Sequence, residues 1–170
     1  MKTHISVLIF TAFLLSAKKK KKNDSYRLHI RKTNYPVTID GMGDEQAWKE
    51  TDVAKDFFMV LPMDKGKANE LSEIRMTYDE TNLYLLGIFY STKPGPYYVE
   101  SLRRDFAFGK NDNFLLFMDP FNNQTTGFSF GANAAGAQWD GTMYNGGSVD
   151  LNWDAKWVSS VKQYEDKWVF

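Results

Sequence analysis

Apolar and polar residues alternate over short stretches of this chain, and turn residues separate the stretches. In residues 74–78, Ile74, Met76 and Tyr78 alternate with polar neighbours, and residues 83–90 are apolar throughout. The tetrapeptide Asp-Glu-Thr-Asn at 79–82 lies between them. This pattern predicts a β-hairpin, with one face of the first strand buried and the second strand central in a sheet.

The stretch that organises the chain is 111–141. It contains an apolar segment at 114–118, a turn at 119–123, an alternating segment at 127–133 and a polar-tipped segment at 138–141. This order predicts a three-stranded antiparallel meander. By alternation, we expect four of its aromatic and aliphatic residues to face the core: Phe114, Leu116, Phe128 and Phe130.

The N-terminal half supplies partner strands. A short strand is possible at 26–30, and a second at 37–39 is ended by Asp-Gly. Asp44 is placed to cap one helical turn. That turn would place Ala47 and Trp48 against the sheet.

The C-terminal part completes the pattern. The connection at 91–112, with two prolines and two glycines, is of the length that often carries function in a β domain. Residues 144–151 are glycine-rich and predicted to be flexible, and 157–161 and 168–170 predict a last hairpin. About nine short strands and one helical turn predict an all-β fold, an antiparallel jelly-roll-like β-sandwich.

The N-terminus is typical of a secretory signal peptide. Lys2 is followed by an apolar run at 5–15, too short to span a bilayer, and then by Ser-Ala. Leu15 and the lysines at 18–22 depart from the usual pattern. We therefore predict a signal at 1–17, a lysine-rich linker at 18–34 and one domain at 35–170, exported to the periplasm, outer membrane or cell surface.

Charge argues against a nucleic-acid partner. The chain has 21 basic and 21 acidic residues, but six lysines precede the first acid, Asp24, which leaves 15 basic against 21 acidic residues, a net charge of −6. Phosphate binding needs clustered Lys and Arg on the folded part. A hydrophobic fraction of 43% is that of a globular protein with a full core.

Few catalytic or metal-binding sets are available. The chain has no cysteine, and its histidines are His4 and His29, which excludes histidine-based nucleophilic sets and the usual zinc sites. Residues 150–154 resemble the start of a calcium loop, but Ala155 and Val161 replace the expected glycine and glutamate. We predict no cofactor, with a structural calcium ion as the alternative.

Carboxylates for glycoside hydrolysis are present in the predicted loops, although nothing in the sequence fixes their separation. They are Glu100, Asp105, Asp112, Asp140 and Asp154.

The five tryptophans divide into two groups. Trp48, Trp157 and Trp168 lie in periodic apolar contexts and are predicted to be core. Trp139 and Trp153 lie in polar, loop-like contexts, where an aromatic ring either stacks on a sugar or packs as a lid.

A succession of short motifs resembles a known family. The pieces are VTIDG with GDEQAW, then IRMTYDETNLYLLGIFY, then LRRDFAFGKNDNFLLFMDPFNNQTTGFSFGANAAGAQWDG, and two later tryptophans. Together they cover residues 36–170 and resemble the N-terminal domain of large bacterial cell-envelope proteins classed with carbohydrate-binding module family 9. The resemblance implies a jelly-roll β-sandwich that binds xylan or another polysaccharide. It also implies a larger C-terminal region, often regarded as a membrane-associated β-barrel, and predicts that the domain is cut short within the strand at 168–170.

We therefore predict a non-catalytic carbohydrate-binding domain of an exported protein, with a polysaccharide or oligosaccharide and its own missing C-terminal region as partners. The predicted binding residues are Trp139, Trp153, Arg103, Arg104, Asp105, Asp112 and Asn133. One alternative is a structural or interaction domain packing on the larger region, in which 103–105 form an internal ion-pair network and the two loop tryptophans are interface residues. A second alternative is part of a glycoside hydrolase of carbohydrate catabolism that depends on Asp112.

Overall fold

Two β-sheets are present in the computed structural model, which describes residues 26–60, 66–93 and 95–170. The strands are β1 (Arg31–Lys32), β2 (Ser72–Tyr78), β3 (Leu83–Tyr90), β4 (Asn113–Met118), β5 (Gly127–Asn133), β6 (Gln138–Tyr144), β7 (Ser148–Asp150), β8 (Lys162–Gln163) and β9 (Lys167–Val169). One sheet has the order β1-β2-β3-β9-β8, and the other has the order β4-β5-β6-β7. The predicted all-β sandwich is confirmed; one short helix, α1 (Gln46–Lys49), and a 3-10 turn at Phe108–Lys110 accompany the strands.

The predicted β2–β3 hairpin is confirmed, from Ser72 paired with Phe89 to Tyr78 paired with Leu83. The Asp79 carboxylate closes the turn, because it accepts the backbone N–H groups of Thr81 and Asn82. These hydrogen bonds, with the Thr81 N–H contributing most, hold the pKa of Asp79 well below its usual range.

The sequence predicts one buried face for β2, and the structure buries residues on both faces. Ile74 is buried on one face, but Thr77 is buried on the other. The Thr77 hydroxyl donates to the Arg31 carbonyl oxygen at 2.8 Å, and the Arg75 guanidinium donates to the Trp48 carbonyl oxygen at 3.1 Å. Thr77 therefore holds the neighbouring strand β1, and Arg75 holds the chain at Trp48 against the sheet.

Aromatic rings join the two sheets. Phe89 of β3 stacks on Trp168 of β9, with ring centroids 4.3 Å apart, and lies 5.2 Å from Phe114 of β4. Phe130 of β5 meets Trp157 edge to face at 5.5 Å. The Phe89–Phe114 contact joins the two sheets directly. The four predicted core residues of the meander are half-buried.

The opposite face of the five-stranded sheet is covered by residues 35–54. Trp48 packs there with Leu86 and Val169. The Glu45 carboxylate holds the segment in place by accepting the Thr38 backbone N–H at 2.9 Å and the Trp48 indole N–H at 2.8 Å. The prediction that Ala47 and Trp48 are buried is therefore confirmed.

Helix α1 begins differently from the prediction. Glu45, and not Asp44, is its N-cap residue, and no side chain caps it. The Glu45 carboxylate is engaged instead with Thr38 and Trp48, which fixes the preceding segment.

Several other predicted segments differ. Residues 26–30 and 37–39 form no strand. Strand β1 begins at Arg31 and runs parallel to the C-terminal end of β2. Residues 148–150 form β7, since Val149 pairs with Met143 of β6. The last hairpin starts at Lys162 rather than at 157.

The predicted signal at 1–17 and residues 18–25 of the predicted linker lie outside the described residues. Among the residues that are described, no helix has the length and apolar character needed to cross a membrane.

The ring of Phe89 contributes to the contact between the sheets, so Phe89→Ala should lower the free energy of unfolding by about 3 kcal/mol through lost burial and a cavity. Leu102→Ala removes a side chain that is 76% exposed and should change it by less than about 0.5 kcal/mol. Urea unfolding followed by tryptophan fluorescence measures both. Equal losses for the two variants would contradict the assignment of Phe89 to the core.

Candidate functional site

An internal ion-pair network surrounds Arg104. Its guanidinium pairs with Asp140 of β6, whose side chain is 0% exposed, and its Nε lies 2.8 Å from a carboxylate oxygen of Asp154. A further N–H donates to the side-chain oxygen of Gln138 at 2.8 Å. The second oxygen of Asp140 accepts the Ala155 backbone N–H at 2.7 Å. Arg104 therefore ties the segment at 154–155 to β6.

Asp105 lies beside the same strand. Its backbone N–H donates to the Gln138 carbonyl oxygen at 3.0 Å, and its carboxylate accepts the Asp140 N–H at 3.3 Å. Burial raises the pKa of Asp105, and the nearby Asp140 carboxylate adds to the rise against the lowering effects of the Asp140 N–H and Arg104. Residues 104–105 therefore contact β6 through polar groups.

A second network holds the turn between β5 and β6. The Asn133 side chain is fully buried, donates to the Ser101 carbonyl oxygen at 2.7 Å and accepts the backbone N–H groups of Ala135 and Ala137. Asp112 accepts the Tyr98 backbone N–H at 2.7 Å. The polar groups of Asn133 and Asp112 are therefore engaged with the backbone of their own chain.

Trp139 is not in a loop as predicted. It is the second residue of β6 and is 3% exposed. Its ring lies opposite Gly131 of β5 and is covered by the edges of Phe108 and Phe117, with centroids 6.5 and 6.2 Å away. The prediction that Trp139 presents a free stacking face is wrong, because these two rings occupy that place.

Trp153 is half-buried. Its ring packs on Phe128 and Phe130, with centroids 5.2 and 6.2 Å away. Arg103 is exposed on the surface. Five of the seven predicted residues therefore lie in internal networks and aromatic packing, whereas Arg103 and Asp112 are exposed.

The candidate carboxylates for hydrolysis also have internal partners. Glu100 pairs with Lys110 at 3.2 Å. The Asp150 carboxylate of the calcium-like segment accepts the backbone and side-chain N–H groups of Asn152. Within the described part of the chain, no group of three or more His, Cys, Asp or Glu residues is arranged to hold a metal ion.

The structure contains a feature that the sequence analysis missed, a cavity of about 590 Å³. Leu116 and Phe130 line it from the four-stranded sheet, and Leu86 lines it from β3. The covering segment contributes Val37, and Trp157 closes another side. Native cores rarely leave space beyond the size of a water molecule, so this cavity is a candidate binding site, which we call the cleft.

Polar groups are few in the cleft. They include Glu45, Asn82, Lys156 and Ser159. The indole Nε1 of Trp157 is buried and has no hydrogen-bond partner among the described residues. The cleft can therefore hold an apolar group together with a small number of hydrogen-bonding atoms.

A sequence signal for the cleft exists in residues 83–90, which are apolar at both alternating positions. Such a strand needs cover on both faces and neighbours on both edges. The pattern predicts this requirement, but the sequence does not show that the β9 edge of this strand is paired over only part of its length by the described residues.

Comparisons with known proteins found no match: no family model, no curated protein and no solved structure is similar to this chain. The resemblance to carbohydrate-binding module family 9 stays a prediction.

We expect the contacts of Arg104 to stabilise the folded state. Arg104→Ala leaves the buried Asp140 carboxylate without its cation and should lower the free energy of unfolding by about 3 kcal/mol. Arg103→Ala, at the exposed neighbouring position, should change it by less than about 0.5 kcal/mol. Urea unfolding measures both, and an Arg104→Ala protein as stable as wild type would show that the pair carries no structural role.

Asp105 should oppose folding at neutral pH. Because its native pKa is raised, the native state holds this proton more tightly than the unfolded state, so its contribution to stability increases as pH falls through the native pKa. Asp105→Asn keeps the acceptor oxygen and suits the left-handed backbone at this position, where φ is 57°. The variant should be more stable than wild type at pH 7, with a smaller gain at pH 4.

Asp119 is a control of opposite sign, because backbone N–H groups, that of Gln124 first, lower its pKa. Asp119→Asn should lose stability at pH 7, and that loss should shrink as pH falls through the native pKa of Asp119. Urea unfolding of both variants at pH 7 and pH 4 measures the effect: the Asp105→Asn gain should shrink at pH 4, whereas most of the Asp119→Asn loss should remain, because pH 4 is still above the lowered native pKa of Asp119. A gain from Asp105→Asn that grows at pH 4 would contradict the assignment.

Proposed function

We propose that this chain is a non-catalytic interaction domain that buries an apolar segment of a larger assembly in the cleft. The observation that carries the proposal is the contrast between the two regions. Five of the seven predicted sugar-binding side chains are buried or half-buried and engaged in internal contacts, whereas the cleft has apolar walls and no occupant from the described chain. Apolar surface left open in this way marks an interaction site.

The walls of the cleft explain the preference for an apolar partner. Leu116 and Phe130 project from the four-stranded sheet, and Leu86 and Trp48 lie on the side of the covering segment. Burying a side chain of Leu or Phe size there would contribute about 1.5–3 kcal/mol each.

Carbohydrate binding is a second candidate, and the same cleft favours it. The rings of Tyr84 and Trp157 line the cleft together with polar groups of Glu45, Asn82 and Ser159. Aromatic rings beside planar polar groups suit the apolar faces and hydroxyls of a sugar. In this second candidate function the sugar would lie in the cleft, and not at Trp139 and Trp153, where the sequence predicts it.

Export to the cell envelope belongs to the same proposal. A secreted chain without cysteine has no disulfides to rely on, so its stability rests on the core and on whatever fills the cleft.

Titration with 1-anilinonaphthalene-8-sulfonate tests the accessible apolar surface. We expect saturable binding that Leu116→Glu weakens at least fivefold, because this substitution places a charge in the cleft. Leu102→Glu is the matched control, because Leu102 is 76% exposed and is not among the residues that line the cleft.

A parallel titration with xylan, cellulose oligomers and simple sugars, followed by tryptophan fluorescence, separates the two candidates. The interaction domain predicts no response to any sugar. Saturable sugar binding that Leu116→Glu abolishes would favour the carbohydrate candidate, and equal dye binding by both Glu variants would contradict the cleft as the site.

A further inference from the structure

Residues 153–160, which we call the strap, lie between β7 and β8 and supply part of the wall of the cleft. Their exposure alternates. The odd-numbered residues from Trp153 to Ser159 are half-buried, and the even-numbered residues between them are exposed. A period of two is that of an extended segment with one side against the protein. The strap therefore lies on the protein in the manner of a β-strand.

The strap nevertheless has no strand partner. Among the described residues, no backbone-to-backbone hydrogen bond involves 153–160. No residue of the strap is fully buried. A segment with few backbone hydrogen bonds and little buried surface opens at a lower free energy than the core strands of the same protein. The strap is therefore the part of the cleft wall that opens most easily.

Side chains of β6 take the place of the missing backbone partner. The Asp140 carboxylate accepts the Ala155 backbone N–H at 2.7 Å. The Gln138 side-chain amide donates to the Ser159 hydroxyl oxygen at 3.0 Å and to the Trp157 carbonyl oxygen at 3.4 Å. Gln138 and Asp140 are two positions apart in β6, so their side chains project from the same face of the sheet.

Arg104 completes this set of contacts. Its Nε lies 2.8 Å from a carboxylate oxygen of Asp154, and one of its N–H groups donates to the Ala155 carbonyl oxygen at 3.4 Å. The same guanidinium contacts Gln138 and Asp140. We call Arg104, Gln138 and Asp140 the clasp. Within the described part of the chain, it supplies every hydrogen bond and ion pair that joins the strap to another segment.

The apolar contacts of the strap lie at the cleft. The Trp157 ring meets Phe130 edge to face at 5.5 Å and Phe170 at 6.3 Å, and all three residues line the cleft. An occupant of the cleft can therefore contact the strap and the four-stranded sheet at once. Such an occupant loses one set of contacts when the strap opens, so it binds the closed arrangement more tightly and shifts the equilibrium toward it.

We propose that the strap opens and closes independently of the two sheets, that the clasp holds it closed, and that it closes on the apolar partner in the cleft. This inference rests on the proposed function and describes the regulation of that same site. Gln138 and Asp140 are positioning residues, because they do not line the cleft and act through Ala155, Trp157 and Ser159.

Backbone amide hydrogen exchange of the full chain, measured by NMR, tests the independent opening. The Ala155 amide reports on the strap, and the Phe130 amide reports on β5, which is paired on both edges. We expect Ala155 to exchange at least a hundredfold faster than Phe130. Gln138→Ala should speed the exchange of Ala155 at least tenfold. Thr142→Ala is the matched control, because Thr142 lies on the same face of β6 and makes no hydrogen bond to the strap.

Phe89→Ala separates opening of the strap from unfolding of the whole domain, because Phe89 joins the two sheets and is not in contact with the strap. This variant should speed the exchange of Phe130 and leave that of Ala155 within about twofold of wild type. Equal acceleration of both amides would show that Ala155 exchanges only when the sheets unfold, and would overturn the inference.

Closure on an occupant is tested with 1-anilinonaphthalene-8-sulfonate as the probe. At a dye concentration ten times its Kd, the exchange of Ala155 should slow about tenfold, because the dye binds the closed arrangement. Dye binding, seen by fluorescence, without slower exchange of Ala155 would overturn the closing role of the strap and leave the proposed function standing. The absence of dye binding would reject the proposed function, and the closing role with it.

Discussion

The pairing of β3 is the constraint on which the rest of the structure depends. Its residues are apolar on both faces, so one face needs the sheet that contains Phe114 and the other needs the segment that contains Trp48. Its edge toward β2 is paired over the full hairpin, while its edge toward β9 is paired from Gly87 onward. The part of β3 from Gly87 onward therefore has a paired strand on each edge, whereas the cleft lies beside residues 83–86.

The Arg104–Asp140 pair has a different role. A fully buried carboxylate requires a cation and hydrogen-bond donors, and Arg104 with the Ala155 N–H supplies both. The pair joins residues from the connection before β4, from β6 and from the segment after β7. These charges hold the three segments together, and the site that we propose for binding is the cleft.

Much of the fold was predictable from the sequence because alternation and turn residues act locally. The β2–β3 hairpin and the β4–β6 meander follow from such patterns. The positions of Trp139 and Thr77 could not be predicted in this way: Trp139 is covered by Phe108 and Phe117 from distant positions, and Thr77 is buried by pairing with β1. Local polarity around Trp139 suggested a loop, but strand pairing through Gly131 determined its place.

The candidate site was harder to predict, because a strand edge that is only partly paired among the described residues is a property of the assembled sheet and not of any motif. The most direct test is backbone amide hydrogen exchange measured by NMR in the unliganded chain. The account predicts that the Leu85 amide, which faces the cleft, exchanges much faster than the Leu86 amide, which faces β2. Equal, strong protection of both amides would show that this part of the β3 edge is already paired and would contradict the open cleft.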